Sequence, residues 1–168
     1  MENLAVPRNA DFDHLVRSLA ARLLARGWTM ASVESCTGGW IAKACTDLAG
    51  SSAWFERGFV TYSNAAKMDL LGVDADTLQQ AGAVSRKVAG QMAEKGRRRA
   101  GVDICAAVTG IAGPDGGTAD KPVGTVWFAW SVAERTNTEC VRFSGNRDAV
   151  RRQTVAHALQ GLIDRSGS

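Results

Sequence analysis

Ser35 stands in the segment Glu34-Ser35-Cys36-Thr37-Gly38-Gly39, between an apolar run ending at Val33 and a helical pattern starting near Gly38. A serine at a strand-to-helix turn is lifted above the sheet edge. The glycines that follow let backbone N–H groups of Thr37, Gly38 and Gly39 converge on an oxyanion, and the helix N-terminus favours negative charge there. The same residues also suit a plain helix cap, with Ser35 or Thr37 capping and the glycines shaping the turn. The pattern is not the G-x-S-x-G elbow. His14 and His157 are the only histidines; both fall on helical patterns and read as structural, so no Ser–His–Asp set exists. A serine nucleophile then needs another base, and a buried lysine can serve because burial lowers its pKa. Ser63 and Lys67 are one residue too far apart for S-x-x-K. Lys67 must therefore reach Ser35 from another element, with Tyr62 relaying a proton or orienting it. The alternatives are a half-buried strand aromatic for Tyr62 and a solvated helix face for Lys67. Their spacing also misses the Y-x-x-x-K of short-chain dehydrogenases.

Thr109-Gly110-Ile111-Ala112-Gly113-Pro114 follows a buried run. Its hydroxyl and amides suit a phosphate cradle, with Thr109, Gly110 and Gly113 as candidates, although it matches neither G-x-x-x-x-G-K-[ST] nor G-x-G-x-x-G. Arg147, before the last helix, suits an anion clamp or a cap of that helix. Arg151 and Arg152 read as solvent-facing. Cys36 is a rival nucleophile, since thiols react well near helix N-termini; a small packed cysteine is the other reading.

Elements must bring these residues together. Phe12, Leu15, Val16, Leu19 and Leu23 recur at helical spacing, ending near Gly27. Thr29–Val33 reads as a strand and Gly38–Leu48 as a helix. Gly58–Tyr62 reads as a second strand, with Ser63 or Asn64 capping a helix that Gly72 stops. Helices are expected around residues 75–81 and 86–100, the latter capped by Ser85. Asp103–Val108 reads as a central strand buried on both faces. Residues 110–122 form a loop, Val123–Val132 a strand, Glu139–Phe143 a shorter strand pairing antiparallel with it, and Asp148–Asp164 the last helix. Strands alternating with helices predict a single layered α/β/α domain with a mixed, mostly parallel sheet. It spans residues 10–165, after a disordered tail over residues 1–9. If the strands before Ser35 and Tyr62 are parallel neighbours, both following helices start at one sheet edge.

The 168 residues, 45% hydrophobic and 22% charged, suit one soluble globular domain. A net charge of +3 and an Arg97-Arg98-Arg99 cluster at a helix end read as a solvated face, not a nucleic-acid stripe. The four cysteines form no C-x-x-C pair, so neither metal nor cofactor is expected. The start carries no basic-then-apolar leader, and no apolar run is long enough to span a bilayer. The expectation is a cytoplasmic protein with reduced thiols, no membrane or nucleic-acid partner, and a homo-oligomer, a dimer being favoured.

Five segments together are similar to the C-terminal domain of the competence/damage-inducible CinA proteins, and to the stand-alone nicotinamide-nucleotide amidohydrolases within that family. They are Glu34–Gly39, Gly58–Asn64 with Lys67, Gly82-Ala83-Val84-Ser85, Thr109–Gly117 and Lys121–Val126. The resemblance runs from about residue 12 to 164. It implies an α/β domain without a metal, and hydrolysis of nicotinamide mononucleotide to nicotinic acid mononucleotide and ammonia in pyridine-nucleotide recycling. It implies a serine nucleophile with tyrosine and lysine helpers, falling on Ser35, Tyr62 and Lys67. Thr109, Gly110 and Arg147 match its substrate-binding motifs. The chain lacks the molybdopterin-binding-like domain of longer CinA proteins, so their nucleotide-pyrophosphatase-type activity is expected to be absent. Two rival readings stand beside this one: an amidase for another small amide, and a non-catalytic nucleotide-binding module.

Overall fold

The structure is a computed structural model that describes residues 5–167. Five strands form one mixed sheet: β1 (Met30–Glu34), β2 (Phe55–Val60), β3 (Ile104–Gly110), β4 (Thr125–Val132) and β5 (Arg135–Arg142). Their order across the sheet is β2-β1-β3-β4-β5. β1 pairs parallel with β2 and β3, while β3–β4 and β4–β5 are antiparallel. Four strands therefore run one way, and only β4 opposes them. Among the described residues, six α-helices cover the sheet: α1 (Asn9–Arg26), α2 (Trp40–Thr46), α3 (Asn64–Leu71), α4 (Ala75–Ala81), α5 (Arg86–Ala100) and α6 (Arg147–Arg165).

The layering follows from strand alternation. Met30, Ile104, Ala106, Val108, Phe128 and Trp130 face one way and pack with Leu19 and Leu23 of α1, Ile41 of α2 and Leu159 of α6. Ala31, Val33, Cys105, Ala107 and Ala129 face the other way and pack with Leu71 of α3, Leu78 of α4 and Val88 and Met92 of α5. The expected α/β/α sandwich is what forms. β1 and β3 are buried on both faces, and α5 lies so close to β1 that a Cβ at Gly96 would overlap Val33.

Helix ends follow the expected signals. Ser63 accepts from Ala66 N–H and Ser85 from Val88 N–H, and Gly72 closes α3 at φ 72°. Other boundaries move, each for a local reason. α2 starts at Trp40, not Gly38, because Gly38 and Gly39 sit at φ 60° and 99°, outside the helical region. β2 is an edge strand over Phe55–Val60, earlier than expected, and its Glu56-Arg57-Gly58 stretch is exposed, so apolar alternation did not reveal it. β5 begins at Arg135, because Val132 pairs with Arg135 across a tight turn at Ala133-Glu134. β3 runs on to Gly110, which puts Thr109 in the strand opposite Trp127 rather than in a loop. α1 begins at Asn9, inside the segment expected as a tail. Residues 5–8 carry no regular secondary structure, and residues 1–4 of that segment lie outside the described residues. Among the described residues, no helix is long and apolar enough to cross a membrane.

The topology brings the candidate residues to one place. β1, β2, β3 and β5 end at the same edge of the sheet, so Ser35, Tyr62, Thr109 and Arg147 all emerge there. The carboxyl edge of an open α/β sheet is where ligands bind.

Candidate active site

A cleft of about 300 Å³ opens at this edge, lined by Ser35, Tyr62, Lys67, Thr109, Gly110, Gly113 and Arg147 among others. Ser63 caps α3, and the helix then turns Lys67 inward. Lys67 is 1% exposed. Its Nζ lies 3.0 Å from Ser35 Oγ, 2.7 Å from Thr61 O and 3.4 Å from Tyr62 O. Burial pushes its pKa down to about 8, opposed by Cys36. The two carbonyls matter for orientation. A neutral amine has two N–H groups, and if Thr61 O and Tyr62 O accept both, the lone pair is left facing Ser35 Oγ. The solvated-face alternative for Lys67 is thereby removed.

Tyr62 lies just past the end of β2 and is 60% exposed, not half-buried in a strand. Its contact to Lys67 is through its carbonyl. Its phenol oxygen instead accepts from Arg147 Nη2 at 3.0 Å, while Arg147 Nη1 donates to Gly113 O at 2.8 Å. Arg147 thus ties the glycine loop to Tyr62 across the cleft mouth. Two of its five N–H donors are used. Thr109 Oγ1 donates to Ala83 O at 2.9 Å, so its proton is committed and it offers no O–H donor to a phosphate. The amides of Ala112 and Gly113 have no acceptor among the described residues and remain available.

Not every candidate presents its side chain to this cleft. Thr37, Gly38 and Gly39 line a second cavity of about 430 Å³ on the far side of the turn, with Trp40, Arg151 and Arg152. The Thr37 hydroxyl donates to Glu34 Oε1 at 2.7 Å. Glu34 itself is fully buried and also accepts from Ile41 N–H at 2.7 Å and Ala42 N–H at 3.0 Å. Burial pushes its carboxyl above the usual range, and these donors oppose that push. Nothing in the spacing of Glu34 announces that it caps a helix seven residues on. Arg151 is half-buried rather than solvent-facing: Nε donates to Cys36 O at 3.1 Å and Nη2 to Thr37 O at 2.9 Å. Arg152 pairs with Asp148 at 2.8 Å. Ala83, Val84 and Asp115 also line the cleft, and their residue types carry no signal of it in the sequence.

The thiol alternative loses ground on chemistry. Cys36 is buried, and its pKa is pushed up to about 12, chiefly by that burial, so it holds almost no thiolate at neutral pH. His157 packs its ring 4.6 Å from that of Phe128 and meets Glu139 at 3.1 Å, away from the cleft, as a structural residue would.

The CinA C-terminal domain family matches residues 12–165, which is nearly the whole chain. The chain belongs to that family. It is 54% identical over 157 residues to the nicotinamide-nucleotide amidohydrolase PncC of Escherichia coli K12, covering 92% of this chain and 94% of that protein. It is 57% identical over 146 residues to the PncC of Enterobacter agglomerans, covering 86% and 89%. Among solved structures, the competence/damage-inducible protein CihA of Agrobacterium tumefaciens superposes with a TM-score of 0.90 at 44% identity, covering 95% of this chain and 97% of that one. The layered fold and the mixed sheet are thus those of the family.

Proposed function

We propose that the chain hydrolyses the carboxamide of nicotinamide mononucleotide to nicotinic acid mononucleotide and ammonia, through an acyl-enzyme on Ser35. The observation that carries the chemistry is the buried Lys67 amine, 3.0 Å from Ser35 Oγ with a pKa near 8. The substrate comes from the amidohydrolases to which the chain is more than half identical.

Neutral Lys67 takes the Ser35 proton as Oγ attacks the carboxamide carbon. The amides of Cys36 and Thr37, which have no acceptor among the described residues, hold the tetrahedral oxyanion. The Lys67 ammonium then protonates the leaving nitrogen, and ammonia departs. Water, deprotonated by Lys67, attacks the acyl carbon and releases the acid and Ser35. Tyr62 accepts from Arg147, which leaves its own proton free to donate toward the substrate. The free amides of the Ala112–Gly113 loop and the unused Arg147 donors take the phosphate. The reading places the enzyme in pyridine-nucleotide recycling in the cytoplasm, with four free thiols in keeping. It includes a homodimer; the exposed Val60, Met68 and Leu70 near the open β2 edge support a self-association face, and solution mass tests it.

Ammonia release from nicotinamide mononucleotide by the purified chain tests the reading. Ser35→Ala should lose several orders of magnitude in rate while staying folded, and hydroxylamine should trap the nicotinoyl group in the wild type. Release from other small amides but not this one supports the general amidase. Tight nucleotide binding without ammonia supports the binding module.

A further inference from the structure

The turn after Ser35 contains two glycines in left-handed conformations, and such residues hold their shape weakly on their own. Its peptides are held from within by Gly38 N–H to Ser35 O and Trp40 N–H to Thr37 O, and also from outside. Arg151, on the second turn of α6, reaches across and donates to both Cys36 O and Thr37 O. A trans peptide points its carbonyl and the next N–H to opposite sides. With Cys36 O drawn toward Arg151, the Thr37 N–H points away from it. Gly38 N–H meanwhile donates to Ser35 O at 3.1 Å, which turns the Cys36 N–H away from Gly38. These two free amides are the ones beside the nucleophile, where oxyanion donors are commonly drawn from. The guanidinium is itself held, lying 5.1 Å from the centre of the Trp40 ring.

We infer that Arg151 is a positioning residue for the Ser35 reaction: by holding the Cys36 and Thr37 carbonyls in a two-pronged grip, it presents the Thr37 amide to the developing oxyanion, beside the Cys36 amide that the Gly38-to-Ser35 turn bond orients. The inference rests on the proposed amide hydrolysis. A lysine cannot replace the grip, because an ammonium lacks the planar fork that meets two acceptors at once. Arg147 and Arg151 lie four residues apart on one face of α6. One helix therefore fixes the substrate loop and the nucleophile turn together.

Because Arg151 lines the second cavity, which is open to solvent beside Trp40, a guanidinium ion can reach the place its side chain leaves. Arg151→Ala should lower kcat roughly 10- to 100-fold with little change in KM, because the amides act on charge that forms in the transition state. Guanidinium chloride at sub-denaturing concentration should restore part of kcat in this variant and none in the wild type. Arg151→Lys should fall between the two; it also carries the test if the alanine variant does not fold, as shown by its melting curve. Folded Arg151→Ala or Arg151→Lys with wild-type kcat would overturn the inference. So would a loss of rate tracking only a lower Tm, without guanidinium rescue. An active wild type with those results leaves the amidase reading standing, whereas a wild type that releases no ammonia removes that reading first.

Discussion

The Lys67–Ser35 contact sets a pH dependence that can be worked from the geometry. Only the neutral amine can take the serine proton, and its pKa is about 8. The neutral fraction then falls about tenfold per pH unit below that value: roughly half at pH 8, about a tenth at pH 7 and about a hundredth at pH 6. The kcat/KM of the wild type should follow this limb with unit slope. Lys67→Arg should remove it and most of the rate, because a guanidinium stays protonated at any of these pH values. The same burial has a thermodynamic signature. The folded-state pKa lies below the unfolded value near 10.5, so below about pH 8 the unfolded chain holds a proton on Lys67 less expensively. Stability therefore rises with pH between about 8 and 10.5, by about 3 kcal/mol for this group. Denaturant unfolding of the wild type and of Lys67→Met across that range isolates the term, since the other titrating groups cancel in the difference. A flat kcat/KM between pH 6 and 8, together with a pH-independent stability difference, would refute the assignment of Lys67 as a buried base.

Other outcomes follow from single contacts. Cys36→Ala should keep most of the activity, because a thiol pushed up to about 12 supplies no nucleophile; complete loss in a folded variant would reinstate the thiol. Arg147→Ala should raise KM for nicotinamide mononucleotide and erase most of its preference over the riboside, an effect on the order of tenfold or more for each charged hydrogen bond lost; equal wild-type kcat/KM for the two substrates would remove the phosphate role. Gly90→Ala and Gly96→Ala should move Tm in opposite directions. At Gly90 the added Cβ meets only Thr138 Cγ2 at 3.7 Å, and helix propensity should stabilise by up to about 1 kcal/mol. At Gly96 the Cβ would overlap Val33 and lie 3.3 Å from Cys105 Sγ, and overpacking of roughly 1–3 kcal/mol should outweigh that gain.

What could be read from the sequence was whatever local physics dictates. Ser63, Ser85 and Gly72 mark helix ends because capping uses neighbouring backbone groups. The run from Ile104 to Val108 shows its burial because both faces must be apolar. The meeting of Ser35 and Lys67, 32 residues apart, was foreseeable only through the condition that their strands run parallel. Features that depend on distant partners stayed hidden. The polar first half of β5 pairs through its backbone, and hydrogen-bond register leaves no trace in residue type. The Thr109 hydroxyl looked free, yet its proton goes to Ala83 O, 26 residues back. Arg151 looked solvated because a carbonyl acceptor can belong to any residue, so an arginine that grips two of them has no spacing signature.

The turn Glu34–Gly39 shows why a motif of this kind cannot decide its own role. Gly38 and Gly39 are needed for the left-handed backbone that carries the chain from strand to helix. The same freedom would let the peptides around Ser35 rotate and spoil a fixed oxyanion site, where donors must already be aimed before charge develops. Turn bonds from Gly38 N–H to Ser35 O and Trp40 N–H to Thr37 O supply part of the rigidity, and Glu34 and Arg151 supply more from beyond the turn. The buried Glu34 carboxylate collects N–H and O–H donors from α2 and Thr37, while Arg151 collects the carbonyls of Cys36 and Thr37. Glu34 sits next to the serine in sequence, but Arg151 stands 115 residues away from Cys36. Without that arginine the same six residues would keep the Ser35–Lys67 contact but lose the grip on the Cys36 and Thr37 carbonyls, and local spacing announces neither.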